Sequence, residues 1–134
     1  MKSQIAQTVR GSIEYTWQGH GPVVLVCHGT SENCYSNSSL MPLLDAGFSL
    51  LTVSRPGYGR TPSEVGRSNT EAADALVALL DQLEIQRCSV IAISGGGPTG
   101  VTLAANYPER VNSLILIAAN TYTENRQNDP AYRS

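Results

Sequence analysis

The sequence predicts an α/β domain, a mostly parallel sheet with helices on both faces. Four short apolar runs, at residues 23–27, 50–54, 89–93 and 111–118, have the character of strands covered on both sides. Helical patterns separate these runs, so the connections between them are crossovers rather than hairpins. Only the first two strand-like segments, residues 5–9 and 12–17, alternate apolar and polar residues, and Gly11 between them makes an antiparallel hairpin. The expected sheet therefore has strands one to six, with the hairpin at its start.

Each element has a local reason. His20-Gly21-Pro22 is a turn that feeds the run Val-Val-Leu-Val-Cys. Residues 40–46 form a short helix stopped by Gly47, and Pro56-Gly57 stops the next strand. Ser68-Asn69-Thr70-Glu71 has the spacing of a capping box. Behind it Ala72, Ala75, Leu76, Leu79, Leu80 and Leu83 recur at helical intervals. Residues 97–107 read as a helix that ends at Pro108. From Asn120 the residues turn polar. Residues 1–119 are therefore expected to form the core, and residues 120–134 to begin a lid or loop that is flexible.

Composition excludes several partners. The 134 residues carry a formal net charge of −2, with no basic stripe for nucleic acid and no acidic tail. Residues 1–7 hold one Lys and no apolar run, so neither an export signal nor a membrane anchor is expected. Cys27, Cys34 and Cys88 lack metal-ligand spacing. Cys27 and Cys88 fall in or beside strand runs, as buried free thiols would. A reducing, cytoplasmic setting is the expectation.

In open parallel sheets the chemistry sits at the carboxyl ends of the strands. There the run 89–93 leads into Ala92-Ile93-Ser94-Gly95-Gly96, and a helix starts just beyond. Small residues two positions either side of Ser94 are what a nucleophile on a sharp strand-to-helix turn requires, since bulky neighbours would collide. Gly95 can bring its N–H close to a reacting oxygen. A phosphate loop would need Lys after its last Gly, and here Pro98-Thr99 follows. A dinucleotide fingerprint would follow the first strand of its unit, which this turn does not.

Four segments in order now carry a resemblance. They are His28-Gly29-Thr30 after the first apolar run, Ser54-Arg55-Pro56-Gly57-Tyr58-Gly59-Arg60-Thr61 after the second, the Ser94 turn, and residues 105–111. Together they resemble the α/β-hydrolases, specifically their lid-bearing esterase and proline-iminopeptidase-like branch, over nearly the whole chain. The resemblance implies that Ser94 is the nucleophile and that the N–H groups of Thr30 and Gly95 form the oxyanion hole. It implies structural parts for His28, Arg55, Tyr58 and Arg60. Two positions depart from the pattern: Ser54 stands where the family often has Asp, and Thr61 where it often has Ser.

The implied function is a serine hydrolase acting on a small-molecule ester, thioester or small amide, without a metal or organic cofactor. The alternative is a non-catalytic binding protein on the same scaffold. Family members that break carbon–halogen bonds or open epoxides use a carboxylate nucleophile, and position 94 is Ser. The sequence has no histidine after His28, and Glu124 is its nearest local candidate for the catalytic acid. A serine without a base is a poor nucleophile. Activity is therefore expected to need a His and an acid from elsewhere. A second chain carrying the C-terminal half, or an oligomer, would also cover the last strand's edge.

Overall fold

Alternation along the strands decides the layering. The computed structural model describes residues 1–119. Its strands are β1 (Gln4–Thr8), β2 (Gly11–Gln18), β3 (Val23–Cys27), β4 (Ser49–Val53), β5 (Cys88–Ile93) and β6 (Val111–Ile117). They form one sheet in the order β1-β2-β4-β3-β5-β6. β1 pairs antiparallel with β2 and β2 antiparallel with β4; the three remaining pairs are parallel. The hairpin and the mostly parallel sheet are as the sequence predicts.

On one face Leu25, Cys27, Leu51, Val53, Val90 and Ala92 join the larger core. Helices α2 (Asn69–Gln82) and α3 (Gly97–Asn106) cover that face through Leu76, Leu79, Leu80 and Leu103. On the other face Val24, Val26, Leu50 and Ile91 pack against Leu40, Leu43 and Leu44. Both faces thus carry helical cover. Burying each such leucine contributes about 1.5–3 kcal/mol.

Helix α2 begins at the Ser68 cap, whose Oγ accepts from Glu71 N at 3.1 Å. The reciprocal arm of the box reaches one residue further back than the usual pattern, because Glu71 Oε1 accepts from Arg67 N at 2.9 Å. The helix expected over residues 40–46 is instead a 3₁₀ turn, Ser38–Leu40, followed by the four-residue helix α1 (Pro42–Asp45). Pro42 sets a fresh start because it has no N–H for the preceding turn, and Gly47 at φ 94° ends the segment. The helix expected from residue 97 is likewise preceded by a 3₁₀ turn, Ser94–Gly96.

Strand β6 stops one residue short of its expected end, at Ala118 with φ 45°. Among the described residues it is a bare edge. Ile115, Leu116 and Ile117 are 49%, 39% and 40% exposed, and neighbours in a strand point to opposite faces, so both faces are open there. No helix among the described residues is long and apolar enough to cross a membrane.

Candidate active site

Parallel pairing of β3 with β5, Cys27 opposite Ala92, brings the ends of these strands side by side. The turn after β5 carries Ser94 and the turn after β3 carries Thr30. Ser94 is exposed and sits at φ 48°, a left-handed conformation costly for a residue with a Cβ. Among the described residues no side chain bonds its hydroxyl. Replacing Ser94 by Gly is expected to raise stability by about 1 kcal/mol by removing this strain. Replacing it by Ala keeps the strain and should give no gain; urea unfolding of the two variants measures the difference.

Glycines let the two turns touch. A Cβ on Gly95 would overlap Thr30 Oγ1 and lie 3.2 Å from Thr30 N. One on Gly96 would lie 2.5 Å from the Cys27 carbonyl oxygen and 2.6 Å from that of His28. Gly100 in α3 sits against Ala92, where an added Cβ would meet Ala92 Cβ at 2.6 Å. Small residues at 92, 95, 96 and 100 therefore fit close approach, of backbone at Gly96 and chiefly of side chains at Gly95 and between Gly100 and Ala92.

The loops behind the site are tied by polar groups. His28 is fully buried; its Nδ1 lies 2.7 Å from Gly29 O, and its Nε2 accepts from Arg55 N at 2.9 Å. The proton is therefore on Nδ1 and both nitrogens are occupied. Burial holds His28 down at about 4, helped by the Arg55 charge and opposed by the bond to Gly29. Tyr58 meets the His28 ring edge-on at 4.9 Å, and the Arg55 guanidinium lies 4.8 Å from the Tyr58 ring. His20 precedes β3 and so lies at the far end of the sheet from Ser94, five strand residues or about 16 Å away.

Sequence reading missed Glu14. The β2 alternation assigns it to a solvent face, but loops 28–37 and 54–61 cover that face and bury it. Glu14 Oε1 accepts from Ser54 Oγ at 2.8 Å and Arg60 N at 2.9 Å. Glu14 Oε2 accepts from Ser3 Oγ and Arg60 Nε, both at 2.8 Å. Burial opposes its ionisation, but the bonds from Arg60, Ser3 and Ser54 win and hold it at about 2. Ser54 Oγ in turn accepts from Cys34 N at 3.0 Å, and Thr61 Oγ1 accepts from Glu14 N at 2.9 Å. The two family-departing positions, Ser54 and Thr61, are thus both bonded to Glu14.

Glu32, also missed, reaches back along its own turn, where its Oε1 accepts from Gly29 N at 2.9 Å. The thiols are buried and unpaired; burial pushes Cys27 up to about 12 and Cys88 to about 11, so neither competes as a nucleophile. Among the described residues no cluster of three or more His, Cys, Asp or Glu could hold a metal ion. Glu124 lies outside the described residues.

A strained serine between a parallel strand and a helix, beside the turn of the neighbouring strand, is the layout of α/β proteins with hydrolase-type sites. A family model for the alpha/beta hydrolase fold matches residues 22–133, and the chain belongs to that family. It is similar to the uncharacterized hydrolase YcgS of Bacillus subtilis, with 49% identity over 111 residues, 83% of this chain and 39% of that protein. A 2-hydroxy-6-oxononadienedioate/2-hydroxy-6-oxononatrienedioate hydrolase of Escherichia coli is 31% identical over 124 residues, 88% of this chain and 43% of its own. The solved alpha/beta hydrolase fold protein from Nakamurella multipartita superposes with a TM-score of 0.83 and 37% identity. That match covers 88% of this chain and 41% of the other. The chain spans about two fifths of the length of these relatives.

Proposed function

We propose that this chain is the N-terminal core of a serine hydrolase that cleaves a small-molecule ester, thioester or small amide through an acyl-enzyme on Ser94. The observation that carries this reading is the exposed, positive-φ Ser94 with Gly95 pressed against Thr30. Ser94 Oγ attacks the acyl carbon, and the backbone N–H groups of Thr30 and Gly95 receive the charge that develops on its oxygen. The hydrolase names of the relatives support the reaction class.

The Ser94 proton needs an acceptor, and neither histidine here suits. His28 is committed at both nitrogens, and His20 is at the wrong end of the sheet. The base and its acid therefore come from a further segment, in the same or a second chain, which also covers β6. Residues 1–119 are the core in this reading; the expected lid or loop, residues 120–134, lies outside the described residues.

Intact-mass analysis of the native protein after treatment with a fluorophosphonate tests both parts. One adduct per Ser94, absent in Ser94→Ala, is the expected result, on a species larger than 14.3 kDa or bound to a partner. A monomeric 14.3 kDa protein that labels well would remove the need for an outside base. Native material that does not label at all would favour a binding protein.

A further inference from the structure

We infer that Ser54 is a positioning residue of this site: its hydroxyl, aimed by Glu14, holds in place the turn that presents Thr30. The inference rests on the acyl-enzyme reading above and names what places one of its two oxyanion donors. The turn leaves the sheet at His28 and returns at Cys34, so these two feet decide where Thr30 lies. Consecutive residues just past β4 hold both of them. Arg55 N donates to His28 Nε2 at 2.9 Å, and Arg55 Nε donates to the His28 carbonyl at 2.8 Å. At the other foot Cys34 N donates to Ser54 Oγ at 3.0 Å, and the Cys34 carbonyl accepts from Thr16 Oγ1 at 2.7 Å.

Glu14 sets the direction of the Ser54 hydroxyl. An ionised carboxylate can only accept, so the hydroxyl donates to Glu14 Oε1 at 2.8 Å and turns its lone pairs toward Cys34 N. Arg60 N, Arg60 Nε and Ser3 Oγ fix the carboxylate in turn. The pairing of β2 with β4 brings the two residues together: past Tyr15 opposite Val53 comes Glu14 opposite Ser54, with Ser54 N donating to Glu14 O at 2.9 Å. Ser54 stands where the family often has Asp, and the carboxylate this chain lacks there stands across the strand pair at 14.

Ser54 and Cys34 are both fully buried, so bulk water does not stand in for the hydroxyl. Without it the Cys34 N–H is left buried and unpaired, and the foot of the turn has to shift to find an acceptor. Acylation and release both pass through an oxyanion at Thr30. A displaced turn therefore slows both steps, which lowers kcat and leaves KM. A misplacement of about 1 Å can cost on the order of 100-fold in rate.

Turnover of p-nitrophenyl acetate by the native protein tests this, at a temperature where urea unfolding shows each variant to be folded. Ser54→Ala should lower kcat at least about 10-fold and leave KM within about twofold. Ser54→Asp alone should fail in the same way, because two carboxylates would meet across one short contact and repel. Adding Glu14→Ser removes the second carboxylate and makes room for the longer side chain at 54. That double variant should return kcat to within about threefold of wild type. A bond that only supports the fold would lower the unfolding free energy of Ser54→Ala and leave the kcat of the folded protein unchanged. That result overturns the inference, and so does a double variant no faster than Ser54→Asp. Glu14→Gln, which keeps the size of the side chain, gives a second reading if the variants at 54 do not fold. Its kcat should fall with KM unchanged, and a wild-type kcat there removes the role given to Glu14. If wild type neither turns over nor labels with fluorophosphonate, the acyl-enzyme reading itself fails and takes this inference with it.

Discussion

Gly96→Ala is expected to cost about 3 kcal/mol of stability and to abolish labelling of Ser94. The cost is steric, since Gly96 sits at φ −79°, where alanine is at ease. The new Cβ would lie 2.5 Å and 2.6 Å from the Cys27 and His28 carbonyl oxygens. Those atoms are backbone at the end of β3 and cannot rotate aside, so the turn after β5 must lift away from β3. Lifting strains the Cys27–Ala92 pairing and carries Gly95 off Thr30. Gly47→Ala is the comparison, because nothing lies within 4 Å of its added Cβ and only its φ of 94° is strained. That change should cost about 1 kcal/mol and leave labelling intact. Urea unfolding with parallel labelling separates the two. Equal costs would mean that contact between the turns is not what holds the serine.

Acid should weaken the fold through Glu14. Its carboxyl, ordinarily near 4.5, is held at about 2 in the folded chain. The unfolded chain therefore binds a proton there first as pH falls. The contribution is full above about pH 5 and declines as pH drops toward 2, by about 3 kcal/mol in all. Glu14→Gln should be less stable than wild type at neutral pH, since the charge-assisted bonds from Arg60 are weakened. It should also lose the Glu14 share of the acid dependence. Unfolding free energies at pH 7 and pH 3 give the result, and parallel slopes for wild type and variant would refute the account.

Much of this architecture is legible because burial on both faces leaves a plain mark. The run at β3 is apolar throughout and those at β4 and β5 are largely so, since helices or loops cover each side, and α2 announces itself through Ser68 and its leucine spacing. Ser94 is legible through the steric demand for small neighbours at Ala92 and Gly96. Glu14 is not, because alternation along β2 says only that it faces away from Ile13 and Tyr15, and the loops that cover that face come from later in the chain. Glu32 escapes notice because its bond to Gly29 N depends on a turn folding back. The segment at 38–45 was blurred by Pro42, which divides one apolar patch between two short turns. Strand order, with β3 between β4 and β5, follows from three-dimensional crossovers that no local pattern encodes.

That strand order also dictates when in folding the site can exist. The β1–β2 hairpin and helix α2 rest on contacts between near neighbours in sequence, and such elements form in microseconds. The meeting of Thr30 with Ser94 instead waits for β5 to pair with β3, across the whole excursion through β4 and α2. Closing so long a loop consumes chain entropy before any contact rewards it, so this pairing is a slow, late event. A nascent chain on the ribosome cannot bring Ser94 to Thr30 until β5 has cleared the exit tunnel. In the proposed reading, and with its outside base supplied, labelling of Ser94 would report this non-local pairing with one covalent probe.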